Sequence, residues 1–313
     1  TAQSGKGGAI SNNTCSFDIV ADNGNILFEE NSSKTDGGAI SSTGNVVVSA
    51  DNQGNIAFKG NSSKNGGAIY NSMKNKTMDI VAKNGANVLF ENNTATDNGG
   101  AINNNKGTLT LLADNGTITF DGNTAASGGA IYNTNTNANS FNINVENNGL
   151  VLFKTASDTI YNDYELTISS TDNTGNVEMN GELTGAKGTL SINGANVVAN
   201  ANISQKTIDI ADNGKLTNNA ELTATKITNG GMMNINGIVN GQLINSENGT
   251  INLLTNSLQN LTINGGNLNL VNGLTETVTF DKLNVNGSFN LGLDANLRDA
   301  QIDNILVSDV ANS

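Results

Sequence analysis

Phe120-Asp121-Gly122-Asn123-Thr124-Ala125-Ala126-Ser127-Gly128-Gly129-Ala130-Ile131 carries two landmarks, Phe-x-x-Asn and Gly-Gly-Ala-Ile, and both recur along the chain. Gly-Gly-Ala-Ile stands at Gly7–Ile10, Gly37–Ile40, Gly66–Ile69, Gly99–Ile102 and Gly128–Ile131. Successive copies start 30, 29, 33 and 29 residues apart. Phe-x-x-Asn stands at Phe28 and Asn31, Phe58 and Asn61, Phe90 and Asn93, and Phe120 and Asn123, with a decayed copy beginning at Phe153. Two landmarks at a near-constant period mark a repeat architecture, in which each unit buries its apolar side against its neighbours.

Three short strands fit into each period. The first is the Gly-Ala-Ile segment, as in Gly129–Asn133. The second alternates apolar and polar residues, as in Val46–Ala50 and Leu109–Ala113. The third ends on the Phe, as in Asn87–Phe90 and Thr117–Phe120. β-Branched residues with period-2 alternation are strand signals. Asp22-Asn23-Gly24, Lys83-Asn84-Gly85 and Asp114-Asn115-Gly116 separate second from third strands and are turn chemistry with residues that tolerate positive φ. Gly and Asn interrupt the chain too often for helices. The pattern predicts an all-β, three-sided β-solenoid with equivalent strands stacked in parallel.

Winding of that kind turns periodic residues into internal ladders. Phe28, Phe58, Phe90, Phe120 and Phe153 are expected to form an aromatic ladder. Asn31, Asn61, Asn93 and Asn123 are expected to form an amide ladder at a corner, each bonding to the next. The pairs Gly37-Gly38, Gly66-Gly67, Gly99-Gly100 and Gly128-Gly129 mark a corner where a side chain would obstruct the bend or the next coil. Residues 1–162 read as regular coils. Residues 163–313 read as degenerate coils of the same solenoid, in which Ile208–Gly214 still matches a second strand plus its turn.

The coupled Gly-Gly-Ala-Ile and Phe-x-x-Asn motifs, over about residues 5–162, resemble the passenger repeats of the chlamydial polymorphic membrane proteins and related autotransporters. Ala300–Ser308 is similar, more loosely, to the end of a passenger just before its translocating barrel. The resemblance implies a right-handed parallel β-helix, exported through the outer membrane and displayed on the bacterial cell surface. It also implies a link to an outer-membrane barrel outside this chain, and adhesion as the commonest role.

Composition narrows the chemistry. The net charge is −13, and Arg298 is the only Arg, so the basic footprint of a nucleic-acid binder is missing. The longest apolar runs fall far short of the ~18 residues a membrane-spanning helix needs. With no His there is no Ser-His or Cys-His nucleophile and no His zinc site. The single Cys15 makes no internal disulfide. Catalytic residues, metal ligands and cofactors are therefore not assigned. Stacked turns bring Asp22, Asp51 and Asp114 near one another, which reads as a cation or acidic strip, or as plain Asp-Asn-Gly turn chemistry, with Lys83 interrupting the row.

Two longer excursions leave the corner strand, Tyr70–Thr77 and Tyr132–Ser140. Binding residues of solenoids lie on such insertions, so Tyr70 and Tyr132 are the candidate ligand contacts, with tolerated loop variation as the alternative. The reading that follows is a non-enzymatic surface adhesin whose partner is a host cell-surface protein, matrix, a glycan or another copy of itself. A stalk or self-associating surface protein is the alternative, and a carbohydrate-active β-helix enzyme is a further one.

Overall fold

Alternation in the sequence becomes alternation between core and solvent. In the strand Thr108–Asp114, Leu109, Leu111 and Ala113 are buried while Thr110 and Leu112 face outward. In Asn87–Glu91 it is Val88 and Phe90 that point inward. Asn115, in the turn between Thr108–Asp114 and Thr117–Asp121, has φ of 49°, and Asn23, Asn52, Asn84 and Asn147 are also left-handed at the equivalent turns. The computed structural model describes residues 5–72, 75–134 and 140–309.

Equivalent strands of successive periods pair in parallel and in register. Ile10 lies on Ile40, Ile40 on Ile69, Ile69 on Ile102, and Ile102 on Ile131. Phe28, Phe58, Phe90, Phe120 and Phe153 follow one another in the same way. The third strands form one twelve-stranded sheet that runs from Asn25–Glu29 to Asn290–Gly292. The first and second strands form the other two sides. From Glu221–Asn229 onward one continuous strand spans both, which joins them into a single 21-stranded sheet. One antiparallel pairing departs from this pattern, Ala295–Asn296 with Gln301–Ile302. The described residues contain no helix, so none is long and apolar enough to cross a membrane. The chain is an all-β, three-sided parallel β-helix.

The arc between the Phe strand and the Gly-Gly pair is more ordered than a turn. Ser62–Asn65 pairs in parallel with Thr94–Asn98, and bridges join Ser32 to Ser62 and Thr94 to Thr124. These arcs are extended and stacked, so their backbone groups are bonded from coil to coil. The Gly-Gly pair closes the arc for two distinct reasons. Gly37, Gly66, Gly99 and Gly128 have φ between 62° and 67°, where a Cβ is disfavoured. A Cβ on Gly38, Gly67 or Gly100 would instead overlap the carbonyl oxygen of the Gly one coil further on.

Coils shrink along the rod. Ile26 and Ile56 stack 30 residues apart, whereas Ile251 and Leu268 stack 17 apart. The Phe row continues through Met179, Ala199 and Asn218 to Ile235 and Leu253. A shorter coil encloses a narrower core, and the smaller side chains match it.

Candidate functional site

The corner strands are only three residues long, and between a buried Ile and a buried Asn or Ser stands a central residue that is covered at Ser41 and Asn103 and partly open at Tyr70, Tyr132 and Tyr161. In register, these central residues are Ser41, Tyr70, Asn103, Tyr132 and Tyr161. Tyr70 and Tyr132 therefore share one face, but Asn103 stands between them and they are not neighbours. Tyr132 stacks on Tyr161, with ring centroids 4.9 Å apart and planes 14° from parallel. Burial, then the hydrogen bond donated to Asp163, pushes the Tyr161 hydroxyl up to about 12. Burial, then the Asp163 charge, raises Tyr132 as well. The Tyr70 hydroxyl accepts a hydrogen bond from Asn105 Nδ2 at 3.1 Å. Asn103 is buried and its Oδ1 has no hydrogen-bond partner among the described residues. Of the two excursions, residues 73–74 and 135–139 lie outside the described residues.

The Phe rings stack face over face at 4.8, 4.9, 5.0 and 4.9 Å, with planes within 6° of parallel. Phe58, Phe90, Phe120 and Phe153 are fully buried, and Phe28 at the first coil is half-buried. The amide ladder bonds in one direction. Asn31, Asn61 and Asn93 each donate their backbone N–H and Nδ2 to the Oδ1 of the next Asn. The ladder ends at Asp158, whose carboxylate accepts the backbone N–H and Nδ2 of Asn123, the N–H of Gly122, and the N–H and hydroxyl of Thr155.

A second buried ladder was not singled out from the sequence. Asn71 donates to Asn104 at 3.0 Å, Asn104 to Asn133 at 2.8 Å, and Asn133 to Asn162 at 2.8 Å. Its signal is an Asn two residues after the corner Ile, as in Ile69-Tyr70-Asn71. Neither ladder holds a group able to act as nucleophile, acid or base on a substrate, apart from the fully bonded Asp158.

The Asp row at the turns is occupied by protein. Asp22 accepts from Asn52, Asp51 from Asn84, and Asp114 from Asn147, at 2.8, 2.8 and 2.7 Å. Lys83 stacks in register with Asp114, which in turn stacks with Glu146. Each carboxylate thus ties one turn to the Asn of a neighbouring coil. On the opposite margin, Lys59 pairs with Glu91 at 2.7 Å and Lys154 with Asp121 at 2.6 Å, and these carboxylates raise both lysines.

Residues 25–43, 55–72, 87–105 and 117–134 each match the Chlamydia polymorphic membrane protein repeat. Each matched stretch starts at a Phe strand, crosses the arc and the Gly-Gly pair, and ends at the corner strand. Every Asn of the two buried ladders but Asn162 falls inside a matched stretch, and Asp158, at the end of the first ladder, lies outside. No curated protein and no solved structure matches the chain.

Proposed function

We propose that this chain is a passenger segment of an autotransporter, a non-enzymatic rod on the outer face of a bacterial outer membrane that adheres to host cells, matrix or glycans. The observation that carries the reading is the set of four polymorphic membrane protein repeats wound into one parallel β-helix. A long, repetitive side suits many weak contacts, because linked sites raise the effective concentration of each further contact. The net charge of −13 supports a cell-surface or glycan partner over nucleic acid.

A stalk is the second reading. Surface amides that bond one another from coil to coil favour it, as when Asn55 donates to Asn25 at 2.9 Å and Asn87 to Asn55 at 3.0 Å. Groups spent on neighbouring coils are not offered to a partner. The test uses the native full-length protein in a bacterial host. Protease treatment of intact cells is expected to remove the segment, and the purified chain is expected to bind host cells or mucin above an unrelated acidic β-solenoid. Resistance to shaving in cells whose outer membrane is intact, but not in lysed cells, would overturn surface display. Shaving without any binding would leave the stalk.

A further inference from the structure

The coils stop matching one another at one corner of the narrow half. On one side of it, Met232–Ile235 pairs fully with Thr250–Leu253. On the other, Gln242–Asn245 pairs with Asn260–Ile263. The residues between divide differently in the two coils. Asn236, Gly237 and Ile238 separate the buried Ile235 and Val239, and Asn240, Gly241 and Gln242 then lead to the buried Leu243. In the next coil Leu254, Thr255, Asn256 and Ser257 separate Leu253 from Leu258, and only Gln259 and Asn260 lead to Leu261. The spare residue sits after the strand in one coil, at Gly241 with φ of 135°, and before it in the other. Ile238–Asn240 and Ser257–Gln259 therefore do not pair, and a cleft of about 510 Å³ opens beside them.

Its lining is half apolar and half polar. Ile238, 60% exposed, and the buried Val239 and Leu258 form an aliphatic wall. The carboxamide of Asn256 and the carboxylate of Asp281 make no hydrogen bond or ion pair with described residues. Gln259 uses its Nε2 on Asn240 at 3.1 Å, which leaves its Oε1 as an acceptor. Elsewhere on this half, surface amides are engaged from coil to coil, as in Asn252 to Asn234 at 2.7 Å and Asn269 to Asn252 at 3.2 Å. A neighbouring amide row, Asn200 to Asn180, Asn219 to Asn200 and Asn236 to Asn219, ends at this corner, where Leu254 follows in the next coil, and Asn256 and Asp281 line the cleft there.

We propose that this cleft binds a short, uncharged oligosaccharide. Ligand clefts of this size pair an apolar wall with a few convergent polar groups. A pyranose ring offers the matching surfaces, with C–H groups for Ile238 and hydroxyls for Asn256, Gln259 and Asp281. An extended peptide does not fit, because the coils are zipped together on both flanks and cannot part by a second strand spacing, about 4.8 Å. Anionic sugars and phosphates are opposed by Asp281 and by the net charge of −13. Asp281 is the only carboxylate in the lining, whereas glycoside hydrolysis uses two, so the site is one of binding.

The inference gives the adhesive reading above a ligand class, and it is tested apart from it. Saturation-transfer NMR on the purified chain uses lactose, cellobiose, diacetylchitobiose and maltotriose, with sialyllactose as the anionic control. At least one neutral sugar is expected to bind with a dissociation constant on the order of 1 mM. Ile238→Asp and the double variant Asn256→Ala/Asp281→Ala, both at exposed positions, are each expected to weaken it at least tenfold with the circular dichroism spectrum unchanged. No binding by any neutral sugar at tenfold that concentration, preference for sialyllactose, or undiminished binding in both variants would overturn the cleft. Cell binding that survives in both variants would leave the adhesin reading standing without it.

Discussion

Asn61 must both give and take. Its Oδ1 accepts the N–H and Nδ2 of Asn31, while its own Nδ2 donates to Asn93 Oδ1 at 2.9 Å and to the carbonyl of Phe28 at 3.0 Å. Only a carboxamide of this length supplies an acceptor and two donors in the buried corner. Asp158 is the reverse case, an acceptor that receives only donors, and it is fully buried. Its Oδ1 meets the donor end of an aligned amide stack. Asp158→Asn would turn an NH2 toward donors that now point at a carboxylate. The expected loss is about 1–3 kcal/mol in urea unfolding, the size of unsatisfied buried groups, and an unchanged midpoint would show that the corner rearranges freely. Phe90 lies between Phe58 and Phe120 at 4.9 and 5.0 Å. Phe90→Ala removes the ring from a stack that cannot close on both sides and is expected to cost about 3–5 kcal/mol. A loss below about 1 kcal/mol in the same unfolding measurement would mean that the coils collapse over the gap.

At the level of the element, turns do more than reverse the chain. In the segment from Ser170 to Gly175, Asp172 accepts from Thr174 N–H at 3.0 Å, Thr174 hydroxyl at 2.8 Å, Ser170 hydroxyl at 2.8 Å and Asn147 N–H at 2.7 Å. The Thr174 amide first, then the Asn147 amide and the hydroxyls, hold its carboxyl far below the usual carboxylate range. A depressed folded pKa adds stability that is complete above the unfolded value of about 4 and is lost as pH falls through the lower folded value. The melting temperature of Asp172→Asn is therefore expected to lie below that of the parent at pH 7, with the gap closing on acidification below pH 4. A gap that widens with acid would refute the sign. The turn type was legible, since Asp-Asn-Gly predicts the left-handed Asn seen at Asn23, Asn115 and others. The partner of each Asp was not legible, because it lies on another coil, as when Asn147 reaches Asp114. The same is true of Asp158, which stands five residues after Phe153 and so falls outside the Phe-x-x-Asn spacing.

Over the whole molecule, the twelve third strands at about 4.8 Å make a rod roughly 50–55 Å long. The rod tapers. In the wide half, Phe rings and two Asn ladders fill the section, while in the narrow half Ala199 and Asn218 stand in the row that Phe28 began. Along this row core volume and coil length fall together, since an interior packed at crystal density has no spare volume, while Phe280 is still buried on another side near the C-terminal end. The cleft between Ile238 and Leu258 belongs to this scale, because it arises only where two adjacent coils place their spare residue differently. By itself the sequence determined that the chain winds as a parallel β-helix. Phe, Ile, Asn and Gly-Gly recur at a near-constant period, and identical residues stacked in parallel satisfy one another, so a local pattern carries the global fold. Only the tertiary structure decided which polar groups remain free. A side chain's partner depends on the register between coils, and that register is set by turn lengths whose consequences appear only when the coils are stacked. For that reason the Asp row at the turns is occupied by neighbouring Asn residues, while Asn256 and Asp281 face an open cleft.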